Sequence, residues 1–127
     1  MTIAVRSPEL TRALEELERA FPGRVTVVAE DANGAIIRIA DVELSARWST
    51  PTGDLWFLIP FHYPDAAIYP YHVTGATPSG GQLQALQSVN WRGMNATQVS
   101  LRHNCWNPNL DTALGSVRQT LAWLRDN

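Results

Sequence analysis

The sequence predicts an α+β domain: an N-terminal helix, a four-stranded antiparallel meander and a C-terminal helix. Three observations carry this. An amphipathic run with a clear start and stop lies between Ser7 and Gly23, a stretch with two-residue alternation broken by turn residues occupies 25–61, and an apolar stripe at helical spacing runs from Leu110 to Leu124. A run of strands bracketed by helices favours an antiparallel sheet covered on one face over alternating parallel units. No glycine-rich loop joins a strand to a helix as a phosphate site would require.

The first helix opens at Ser7-Pro8-Glu9. The serine can cap, proline fits the first helical position, and the carboxylate suits the positive end of the helix. Leu10, Leu14, Leu17 and Phe21 recur at helical spacing, and Pro22-Gly23 ends the run. Residues 25–29 read as a strand, Asp31-Ala32-Asn33-Gly34 as a turn, and 35–39 as the hairpin partner. Residues 42–48 continue the alternation, with Val42, Leu44, Ala46 and Trp48 on one face, until Ser49-Thr50-Pro51-Thr52-Gly53 breaks it. Residues 55–61 form the most apolar strand, in which Pro60 marks an edge, a bulge or the end.

In 63–70 two prolines restrict both their own φ and the residue before each, so a stiff, aromatic-lined connector is expected there. A short strand at 71–74 and a flexible break at 77–81 follow, then one or two helical turns over 82–89. The polar, patternless stretch 90–104 reads as a site-bearing loop. Asn107 or Asn109 can cap the last helix, whose stripe is Leu110, Ala113, Leu114, Val117, Leu121 and Leu124.

A length of 127 residues suits one domain, 1–127, with one core. A net charge of −2 argues against a nucleic-acid partner. No apolar run is long enough for a bilayer and the start lacks the regions of a signal peptide, so a cytoplasmic protein with no membrane partner is expected. The single cysteine forms no internal disulfide and suits a reducing compartment. All ten basic side chains are arginine. Nucleotide composition alone can produce that bias, and so can avoidance of self-modification by a protein that handles a lysine-directed intermediate.

Cys105, in His103-Asn104-Cys105-Trp106-Asn107-Pro108, is expected at the entry of the last helix, where unpaired N–H groups and the helix dipole favour a thiolate. Its ordinary rival role is that of a buried apolar filler. His62, His72, His103 and Cys105 lack the close spacing of zinc motifs, so no metal and no cofactor is expected. Ser100 lacks the nucleophile elbow of a serine hydrolase.

Two segments carry a resemblance. Leu58-Ile59-Pro60-Phe61-His62-Tyr63-Pro64-Asp65 with Tyr69-Pro70-Tyr71-His72-Val73 resembles the Phe-Pro-x-x-Tyr-Pro region of ubiquitin-conjugating enzymes, and Trp106-Asn107-Pro108 with Leu110 and Leu114 resembles their Trp-x-Pro helix start. The family's His-Pro-Asn motif is missing, and Cys105 abuts the tryptophan instead of preceding it by several residues; Ser100 lies nearer the usual cysteine position. His103-Asn104-Cys105 is instead similar to the His-Pro-Cys of autophagy-type conjugating enzymes. The whole looks most like the divergent bacterial branch of this superfamily.

The resemblance implies a ubiquitin-conjugating-enzyme-like fold and thioester transfer. A ubiquitin-like modifier would pass from an activating enzyme to the cysteine and then to an amine of a protein target, and the first helix, with Arg6, Arg12 and Arg19, would dock the activating enzyme. Cys105 is the leading nucleophile and Ser100 the alternative, an oxyester carrier. Asn104 or Asn95 can donate to the tetrahedral oxyanion, and His103 can lower the thiol's affinity for its proton or act as base. Asp111 is a weaker candidate for orienting the amine, with a helix-end role as its rival. The alternative function is a catalytically inactive domain that binds a ubiquitin-like protein or partner through an aromatic surface around Tyr63, Tyr69 and Tyr71.

Overall fold

A computed structural model describes residues 6–79, 85–101 and 106–127. In chain order the elements are α1 (Pro8–Ala20), β1 (Val25–Asp31), β2 (Gly34–Glu43), β3 (Thr52–Pro60), β4 (Tyr71–Thr74), β5 (Leu86–Trp91), β6 (Met94–Val99) and α2 (Ala113–Asp126). The strands form one antiparallel sheet in the order β1-β2-β3-β4-β6-β5. The α+β class and the two terminal helices are as predicted. The sheet has six strands among the described residues rather than the expected four.

The added strands come from 86–99, where a helical turn and a loop were expected. Arg92 and Gly93 both take positive φ, 53° and 78°, the paired left-handed geometry that matches a tight hairpin to strand twist. β5 is an edge strand whose Gln87, Ser88 and Asn90 are exposed, so its polar residues face water and hide the apolar alternation. The reverse error falls on 42–48. A register shift between Ile39 and Val42, with Asp41 at φ 57°, ends β2 at Glu43. Trp48 keeps one bridge to Pro78 and stays buried, whereas Ala46 is exposed.

Helix α1 is capped as expected: Leu10 N donates to Ser7 Oγ at 3.1 Å, and Leu10, Ala13, Leu14 and Leu17 form its buried stripe. Helix α2 packs on β2 and on α1. Together the helices cover the sheet face made by Ile37, Ile39, Leu55, Phe57, Tyr71 and Val73, all almost wholly buried in one cluster with Leu17, Val117 and Leu124. Tyr71 reaches through this layer, and its hydroxyl lies 2.6 Å from Ser116 Oγ. Pro60 is the last residue of β3, where its missing N–H interrupts no ladder. No helix among the described residues is long and apolar enough to cross a membrane.

Candidate functional site

The connector and the segment after residue 105 meet. Trp106 Nε1 donates to the Pro64 carbonyl at 2.7 Å, and its ring packs against the core. Beyond it the chain makes a tight turn. Asn107 N donates to Asp111 Oδ2 at 2.7 Å, Asn109 N to Asn107 Oδ1 at 2.9 Å, and Asp111 N to Asn107 O at 2.8 Å. Such local side-chain bonds offer the backbone an alternative to helix. Accordingly α2 starts at Ala113, where Thr112 Oγ1 accepts from Gly115 N at 3.0 Å.

This corrects three expectations. Thr112, not Asn107 or Asn109, caps the last helix. Leu110 is 78% exposed and leaves the apolar stripe. α2 begins at Ala113, with residues 106–111 between Cys105 and the cap in sequence, so the helix does not follow directly on Cys105 as the sequence predicts. His103, Asn104 and Cys105 themselves lie outside the described residues.

Tyr63 ties the same junction from the other side. Its hydroxyl accepts a hydrogen bond from Ala113 N at 2.9 Å, satisfying one of the unpaired amides at the start of α2. Burial raises the affinity of this phenol for its proton, and the Ala113 amide opposes the shift. The peptide bonds Tyr63–Pro64 and Tyr69–Pro70 are cis. A shallow cleft of about 150 Å³ opens beside the junction, between Glu9 and Arg12 of α1 and the Pro108–Thr112 turn.

The expected aromatic surface is not formed by the three tyrosines. Tyr71 is 1% exposed and Tyr63 8%, so both serve the core and the helix cap, and Tyr69 alone is well exposed, at 41%. Phe61 and Leu110, which the sequence reading did not single out as surface residues, are more open than any of them.

Ser100 follows β6 directly. Its amide donates to Ala85 O at 2.8 Å, and its Oγ accepts from Gln98 Nε2 at 3.1 Å. An amide N–H donor on the hydroxyl oxygen does not activate it as a nucleophile, because it draws on a lone pair and takes no proton from the hydroxyl. Asn95 is exposed near the hairpin tip, paired with Asn90, at the far end of β6 from Ser100. Asp111 holds the Asn107 amide, which explains its carboxylate as a turn anchor. Among the described residues no three His, Cys, Asp or Glu side chains gather as metal ligands. His62 is exposed beside Phe61, and His72 is buried in β4.

No family model, no curated protein and no solved structure matches this chain.

Proposed function

We propose that this chain is a conjugating enzyme for a ubiquitin-like modifier, with Cys105 as the thioester carrier, in a divergent form of the ubiquitin-conjugating-enzyme-like fold. One observation carries the reading. The two segments that bear the resemblance, 58–73 and 106–114, are joined to each other by the Trp106–Pro64 and Ala113–Tyr63 hydrogen bonds. Residues far apart in sequence thus form one junction immediately after Cys105. The order of α1, β1 to β4 and α2 also accords with the reading.

In this mechanism the Cys105 thiolate attacks the modifier's C-terminal carbonyl, held as a thioester on the activating enzyme. The tetrahedral oxyanion collapses, the activating enzyme's thiolate leaves, and the modifier stays on Cys105. An amine of the target then attacks the new thioester, an amide forms, and the Cys105 thiolate departs. His103 takes the proton the amine gives up, and the Asn104 side-chain amide steadies the oxyanion. His103 also lowers the affinity of the Cys105 thiol for its proton.

The test uses a glycine-terminated peptide thioester of mercaptoethanesulfonate as donor and lysine amide as acceptor. The chain should take up the peptide as a hydroxylamine-labile adduct and pass it to the amine about 10²-fold faster than an N-acetylcysteine thioester does. Cys105→Ala should abolish the adduct, Ser100→Ala should leave it, and His103→Ala should slow the transfer. An adduct that survives Cys105→Ala, or transfer no faster than from N-acetylcysteine, overturns the assignment. A binding-only role keeps less support, since two of its three tyrosines are buried.

A further inference from the structure

We propose that the His72–Trp91 stack is a proton-sensitive clasp, which fastens the β5–β6 hairpin to the sheet while His72 is neutral and releases it when His72 is protonated. The clasp sits on the sheet face turned away from the helices, and it is independent of any acyl group on Cys105.

Among the described residues β5 is bonded to β6 alone, so its ladder gives it no direct hold on the rest of the sheet. Trp91, at the hairpin tip, supplies that hold. Its ring lies 4.3 Å from the His72 ring of β4 at an interplanar angle of 15°, and meets Trp56 of β3 edge-on at 5.8 Å. On this face β6, which lies between them, carries the buried Ala96 beside Gln98, which is the cross-strand partner of His72. The small alanine leaves room for an indole to reach from β5 to β4.

His72 is 4% exposed, and among the described residues its buried Nδ1 has no hydrogen-bond partner. A neutral imidazole can leave one nitrogen as an unpaired acceptor, but the imidazolium makes both nitrogens donors. Protonation with the clasp closed would therefore bury a charged N–H without an acceptor.

Among the described residues the charged groups on this face offer no relief. Asp54 of β3 is bound to Arg38 of β2 at 3.0 Å and also accepts the Asp41 amide, and Arg38 lies over Trp56. Arg92, in the hairpin turn, lies over Trp91 and adds a second positive charge. Gln87 of β5 and Gln98 of β6 are neutral, and Tyr71 of β4 belongs to the opposite face. The indole attracts a cation through its ring face, yet that attraction is weak beside the loss of solvent around an unpaired charge.

Burial accordingly lowers the affinity of His72 for its proton. The sign follows: the closed clasp is fully stable above the ordinary histidine range, and its advantage is lost as pH falls toward the lowered value. If the closed clasp admits no proton over this interval and the released hairpin leaves His72 with an ordinary affinity near pH 6.5, the open fraction rises about tenfold between pH 7.5 and 5.5.

Amide hydrogen exchange of the full chain, resolved by residue and corrected for intrinsic rates, tests this. Protection across β5 and the Arg92-Gly93 turn should fall about tenfold over that interval while β2 and β3 hold theirs. In His72→Phe, which keeps a flat ring against the indole, the fall should vanish. In Trp91→Ala the hairpin should be poorly protected at both pH values. Protection that ignores pH in the native chain, or an equal fall in His72→Phe, overturns the clasp.

Discussion

On the helix side of the sheet, cross-strand neighbours are Ile37 with Phe57 and Leu55 with Val73, and every one of them is fully buried. One residue along, on the other side, the same strands set Arg38 opposite Trp56 and Trp56 opposite His72. The first face is dry and held by close packing against α2. The second is held by ring stacking, an Arg38–Asp54 ion pair and the Trp56 Nε1 bond to Thr74 Oγ1 at 2.7 Å. A two-residue period thus places two kinds of adhesion on one set of strands. Away from the sealed His72, as at Arg38, water can replace a lost side chain on the second face but not on the first, so truncations at such positions should differ in cost by several-fold.

The largest effect is expected at Phe57. It is fully buried and packs its ring 5.3 Å from that of Tyr71. Phe57→Ala should lower unfolding free energy by about 3–5 kcal/mol, measured by urea denaturation. A loss below 1 kcal/mol would mean that the dry face can collapse around the hole, and the contrast between faces would fail.

Tyr71 sharpens the contrast, because it is a polar group that the dry face accepts. Tyr71→Phe keeps the ring and leaves Ser116 Oγ without the phenol, at a cost of about 1–2 kcal/mol near neutrality. Its pH dependence carries more information. Burial pushes the Tyr71 phenol far above its ordinary range, against the weaker pull of Ser116 and Thr120. A raised folded value means that the group's contribution is intact below the unfolded value near 10 and is lost as pH rises past it. The native chain should therefore lose stability steeply above pH 10, and Tyr71→Phe should lose it less steeply, with Tyr63 accounting for part of the remainder. Parallel curves would show that Tyr71 is not sealed.

The same division explains what could be read from the residues alone. α1 was legible because cap, first-turn proline, spacing and terminator all agree, β2 and β3 because the dry face imposes apolar alternation, and β1, which buries no residue, because its β-branched Val25, Thr26, Val27 and Val28 run into a turn signal. β5 and β6 were not, since an edge strand with Gln87, Ser88 and Asn90 exposed need not be apolar, and Leu83, Leu86 and Ala85 mimic helical spacing. The stripe of α2 was legible but its start was not. Leu110 has the right spacing, yet Asn107 and Asp111 spend their side chains on a local turn that no periodicity reports. At the candidate site the connector was foreseen as stiff, but tyrosines next to prolines looked like surface. Tyr63 is buried because its hydroxyl caps a helix fifty residues away in sequence, a partner that pattern alone does not name.

The smallest effect is expected at Arg38, on the open face. Its guanidinium bonds Asp54 through Nε at 3.1 Å and the terminal nitrogen at 3.0 Å, with side-chain exposures of 41% and 26%. Water and salt screen a pair this exposed, so Arg38→Ala should cost about 0.2–1 kcal/mol at low ionic strength and less at 1 M salt. Part of any loss that survives high salt belongs to the stem and guanidinium lying over Trp56, since that contact is packing as much as charge. Arg38→Met restores the stem without the charge and should recover that part. If Arg38→Ala instead rivals Phe57→Ala and ignores salt, the open face is as dry as the covered one, and the two-face account of this sheet is wrong.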